Sequence, residues 1–149
     1  MNKRFFFIAI NILVFSISLY LLLNSSTILS TSISKTINIP IGSFLTWLGI
    51  ISLPSLLLCS FKKLYQPKTS FQNIFSKIFK VLILFAILWL PFCYYLAGNI
   101  AFNFSNTSNF QGGQTAMKIF WNYTYSIVTL TLSVTLLYLF LSIFIKRKK

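Results

Sequence analysis

The chain is 149 residues long and 56% hydrophobic, and carries thirteen Lys and Arg against no Asp, Glu or His, a formal charge of +13. General acid–base catalysis draws mainly on His, Glu and Asp, hard-metal sites need carboxylate oxygens, and zinc or haem wants ligands that two cysteines cannot supply. The composition therefore argues against an enzyme and implies no cofactor; it predicts an integral membrane protein whose positive charge is met by anionic lipid of the cytoplasmic leaflet.

A spanning helix needs about 20 mostly apolar residues, and four stretches reach or approach that length. The predicted fold is an all-α membrane protein, residues 1–149 forming one domain with transmembrane helices at about 5–23, 41–59, 78–101 and 120–145. The basic start Met1-Asn2-Lys3-Arg4 resembles a secretory signal, but the apolar run from Phe5 to Leu23 is too long and no A-x-A-like site follows. A retained signal-anchor is expected. The second span carries Pro54, the third Lys80 near its start and Pro91 inside it.

Between the second and third spans, Phe71, Ile74, Phe75, Ile78 and Phe79 follow the i, i+3, i+4, i+7, i+8 pattern of one helical face. Gln72, Asn73, Ser76, Lys77 and Lys80 take the other face. This predicts a short amphipathic interfacial helix before the third span, first as an orientation anchor and second as a docking surface. The outer loops are rich in Ser, Thr and Asn; the second contains Gly112-Gly113, a turn signal, and the sequons at Asn103 and Asn106, which matter only in a eukaryotic secretory route.

Eleven of the thirteen basic residues lie before the first span, between the second and third, or after the fourth, whereas Lys35 and Lys118 fall on the other side. The positive-inside rule then puts both termini in the cytoplasm. Orientation accounts for the basic clusters, so no nucleic acid is expected as a partner. Neither Lys35 nor Lys118 adjoins a residue that would activate it, and no phosphate-binding Gly-rich loop is present. Cys59 and Cys93 read as apolar packing or lipid-facing residues, and Pro54 and Pro91 as kinks of architectural origin.

In the fourth span Asn122, Ser126, Thr129 and Ser133 recur at i, i+4, i+7, i+11, one stripe along the helix. Such residues commonly pack inside a bundle. The sharper alternative is a recognition face for a foreign membrane helix; a pore lining is a third, although four helices leave little lumen.

The segment Trp89-Leu90-Pro91-Phe92-Cys93-Tyr94, followed by a polar outer loop reaching Gly112-Gly113, resembles immunity proteins against pore-forming colicins of the A/B type. The likeness is a W-x-P-x-x-Y-like third span, a Gly pair in the outer loop, a Thr/Ser-bearing last span and a basic tail. Cys59-Ser60-Phe61-Lys62 is similar to the inner edge of that family's second span. The resemblance covers the C-terminal two-thirds; the chain departs from the family in its shorter first outer loop and its lack of acidic residues. It implies a multi-pass inhibitor in the bacterial inner membrane that binds the toxin's membrane-embedded pore-forming domain and blocks channel opening. The partner face would then comprise Trp89, Pro91, Tyr94, Gly112, Gly113, Lys118, Asn122, Ser126, Thr129 and Ser133. Two other classes fit the residues: a small accessory subunit of a larger membrane complex, and an anion-conducting or lipid-handling oligomer using Lys35 or Lys118 at an outer mouth. Oligomeric state is not set by these features.

Overall fold

A computed structural model describes residues 3–24, 27–33, 40–100, 104 and 110–147; Lys35 and the sequon asparagines lie outside the described residues. The long elements are helices: α1 (Lys3–Leu23), α2 (Ile41–Ser60), α4 (Ser70–Ala97) and α5 (Gly113–Arg147), with a single turn, α3 (Lys62–Tyr65), after α2 and a short 3-10 turn at Thr27–Ser30. All four long helices have the length and apolar composition to cross a membrane, as a multi-pass membrane protein requires. The tail end of the bundle holds the start of α1, the end of α2, α3, the start of α4 and the end of α5; the loop end is opposite.

Helix α2 packs against α1 on one side and against α4 and α5 on the other, and α4 packs against α5. Three helices thus enclose the core, and α1 rests on the outside of α2. Two ties hold it there. At the tail end the Arg4 guanidinium donates from Nε to the Cys59 carbonyl (2.7 Å) and from Nη2 to the Ser60 carbonyl (2.6 Å). These are terminal α2 carbonyls with no partner within the helix, and a cation there also suits the negative end of the helix dipole. Further along, Ser18 Oγ donates to the Leu45 carbonyl (3.0 Å) beside Gly49, where a Cβ would stand 3.1 Å from that of Ser18. Small residues allow this close approach, as is usual between membrane helices.

Helix α4 starts eight residues before the expected span. Thr69 caps it, accepting from the Gln72 backbone N–H (3.3 Å), while Gln72 Oε1 accepts from the Lys68 N–H (2.9 Å). With its first turn capped, nothing stops the helix before Gly98, whose φ of 71° gives it the left-handed stop that glycine adopts without strain. The expected short helix is consequently not a separate element: 70–80 is the opening of α4. Its predicted apolar face also divides. Phe75 and Phe79 are buried and Phe71 is half-buried, with Phe71 and Phe75 packed around Tyr138 of α5; Ile74 and Ile78 face outward with Lys77 and Lys80.

The tail-end cluster therefore comprises Leu58, Leu64, Phe75, Phe79 and Tyr138. The loop-end cluster comprises Ile50, Ala86, Trp89, Cys93, Phe120 and Ile127. Helix α5 begins seven residues before its expected start and has 35 residues. At 1.5 Å per residue it is about 52 Å long, so it must tilt in, or protrude from, a hydrocarbon layer of about 30 Å.

Candidate functional site

Two rows of small polar residues run along α5. Thr124, Thr131 and Thr135 share a side with Phe120, Ile127 and Tyr138, and all six are buried. The threonine hydroxyls donate to carbonyls one turn back, Thr124 to Phe120 (2.9 Å), Thr131 to Ile127 (2.6 Å) and Thr135 to Thr131 (2.7 Å). Thr124 Oγ1 also accepts from Trp89 Nε1 of α4 (2.9 Å). Asn122, Ser126, Thr129 and Ser133 occupy the opposite side of the helix, and all four are exposed. The expectation that this stripe packs inside the bundle is overturned, because the threonine row already fills that place. Thr129 donates back to the Tyr125 carbonyl (2.8 Å). No hydrogen bond joins the side chains of Asn122, Ser126 or Ser133 to any described residue.

Shallow depressions flank the outward row. One, of about 370 Å³, is lined by Gln114, Met117, Lys118, Trp121 and Asn122, so Lys118 and Asn122 lie together. The other, also about 370 Å³, runs between α4 and α5 and is bounded by Phe85, Leu88, Pro91, Phe92, Tyr95 and Tyr123. Tyr123 holds its α5 wall in place by donating its hydroxyl to the Phe85 carbonyl (2.7 Å) and packing on Phe92 with ring centroids 4.5 Å apart.

The remaining sequence-predicted site residues separate. Trp89 is in the core, 1% exposed, and has no outward surface to offer a partner. Tyr94 is exposed but does not line the aromatic groove; Tyr95, which the sequence reading passed over, does, and is 82% exposed. The spacing 85, 88, 92, 95 is a helical row that could have identified it. Gly112 lies against the last turn of α4, where a Cβ would collide with the Leu96 carbonyl, so its smallness serves the turn. Gly113 opens α5 at φ 74° with open space around it. Pro91 cannot donate to the Ile87 carbonyl one turn back, and Trp47 Nε1 of α2 donates to that carbonyl instead (3.0 Å).

Chemically, the outward face can pack closely and exchange hydrogen bonds; it carries one ammonium group, Lys118, and no acid. No family model, curated protein or solved structure matches this chain.

Proposed function

We propose that the chain is a bacteriocin immunity protein of the bacterial inner membrane, which binds the pore-forming domain of a toxin and holds its channel shut. The observation that carries this reading is the outward polar row of α5: the side chains of Asn122, Ser126 and Ser133 are exposed and have no hydrogen-bond partner among the described residues. Hydroxyl and amide groups facing lipid favour a helix that supplies hydrogen bonds, each worth about 0.6 kcal/mol across a membrane interface. Blocking a channel needs such a packing face and no acid–base groups, in keeping with a chain that has no Asp, Glu or His. The resemblance in the W-x-P-x-x-Y segment points the same way. In this reading the tail end, where the basic residues gather, is cytoplasmic with both termini, and Lys77 and Lys80 meet the headgroups of that leaflet. The outward row and aromatic groove then lie toward the periplasm, the side from which a toxin arrives.

The test is expression in a sensitive bacterium, with survival and potassium efflux measured against a panel of pore-forming bacteriocins. Selective protection is expected, together with its loss in the triple variant Ser126→Leu, Thr129→Leu, Ser133→Leu at unchanged membrane levels. Protection that survives the triple substitution would remove the α5 face from the reading. Failure against the whole panel, with insertion confirmed, would move it to a second reading, a fixed subunit of a larger membrane complex. That reading is favoured by α1, whose side chains are mostly exposed; such a subunit would co-purify with constant partners.

A further inference from the structure

Because α1 rests on α2 and barely touches α5, a wedge of about 320 Å³ remains between the three helices, bounded among others by Ser18, Leu19, Gly49, Ile50, Val128 and Leu132. Its wall exposes no polar surface although Ser18 and Thr46 line it. Their hydroxyls are engaged elsewhere, by the Leu45 carbonyl (3.0 Å) and the Gly42 carbonyl (2.8 Å). A slot that keeps its hydroxyls occupied suits a hydrocarbon chain.

What identifies the occupant is the other end of the same side of α5. Lys118, in the depression with Gln114, Trp121 and Asn122, stands roughly 15 Å along the helix from Val128, the nearer α5 residue of the wedge, at 1.5 Å per residue. Half of a hydrocarbon layer of about 30 Å is the same distance. A lipid whose chain fills the wedge thus brings its phosphate to the depression. There it meets the three donors of the Lys118 ammonium, the amides of Gln114 and Asn122, and an indole of the kind found at membrane interfaces. The chain has no Asp or Glu side chain with which Lys118 could pair. A headgroup of net negative charge satisfies it, whereas a zwitterionic headgroup brings an ammonium of its own.

We propose that α1, α2 and α5 bind one anionic glycerophospholipid of the loop-end leaflet, its acyl chain in the wedge and its phosphate at Lys118. The proposal shares Lys118 and Asn122 with the face named in the toxin reading, but it is tested without a toxin, so the failure of either leaves the other standing. The full-length protein in mild detergent is titrated with phosphatidylglycerol and with phosphatidylcholine, and adducts are counted by native mass spectrometry. One phosphatidylglycerol per chain is expected, preferred by about fivefold. Lys118→Gln should bring the two lipids level. Leu132→Trp, at a position 48% exposed and so able to take a larger ring without disturbing the core, should abolish retention of both while leaving the circular dichroism unchanged. Equal binding of both lipids by the unaltered protein, retention unaffected by Leu132→Trp, or a lipid-free dimer would each overturn it.

Discussion

The two polar rows of α5 are made of nearly the same residue types on one helix, yet only one is provided for by its own chain. On the inward side every threonine hydroxyl bonds a carbonyl one turn back, and Thr124 also receives the Trp89 indole. On the outward side the Thr129 hydroxyl is served, while the side chains of Asn122, Ser126 and Ser133 have no hydrogen bond among the described residues. In water that contrast would mean nothing, because solvent would complete the outward row. In a bilayer both sides are equally apolar. An unserved row there has an energetic reason to find a partner, and a served one has none.

Substituting the same residue on the two rows gives the largest expected difference. Leucine at Thr124, Thr131 and Thr135 forces extra volume into a closed interface at about 1–3 kcal/mol per site. That triple variant should fail to accumulate, or should unfold at far lower denaturant in detergent. Leucine at Ser126, Thr129 and Ser133 meets open surroundings and should change stability by no more than about 0.5 kcal/mol. Equal destabilisation of the two variants would show that the outward row is already buried against something, such as a second copy of the chain.

Trp89→Ala sharpens the inward side. The indole is 1% exposed and bonds Thr124, so truncation leaves a cavity and removes a buried hydrogen bond. A loss of about 3–5 kcal/mol is expected in the free energy of unfolding. Tyr95→Ala, at a position 82% exposed, should cost less than about 0.5 kcal/mol. If Trp89→Ala were as mild, the loop-end cluster would not be a packed core.

How far these features were legible follows from the same physics. The four spans can be read from hydrophobicity because backbone groups in lipid must be paired internally, which makes a long apolar run a helix. The stripe at 122, 126, 129 and 133 is equally plain as a pattern. Its direction is not, since hydropathy separates inside from outside only when the outside is water. The same ambiguity put Ile74 and Ile78 on one face with Phe71, Phe75 and Phe79, which the fold divides. The early start of α4 was legible: Thr69-Ser70-Phe71-Gln72 is a capping box ahead of an apolar run, and Gly98 marks its end. The pairing of Trp47 with the carbonyl freed by Pro91 needed the tertiary arrangement, for nothing in sequence spacing joins positions 47 and 91.

That pairing extends the rule from hydroxyls to backbone, and it gives the finest test. Pro91 leaves the Ile87 carbonyl without its helical donor, and the Trp47 indole supplies one from α2 at 3.0 Å. Trp47→Phe keeps the ring's bulk and removes the donor, so it should cost about 0.6–1 kcal/mol. In a Pro91→Ala background the helix regains its own N–H donor to Ile87, and the same substitution should cost less by at least about 0.5 kcal/mol. The four proteins form a double-mutant cycle whose interaction energy is read from unfolding in mixed detergent. An identical cost of Trp47→Phe in both backgrounds would mean that the carbonyl freed by Pro91 does not depend on the indole. That carbonyl would then join the buried Ser76 hydroxyl, which has no hydrogen-bond partner among the described residues, as a polar group the bundle tolerates unserved, and the energetic argument from the asymmetry of α5 would weaken.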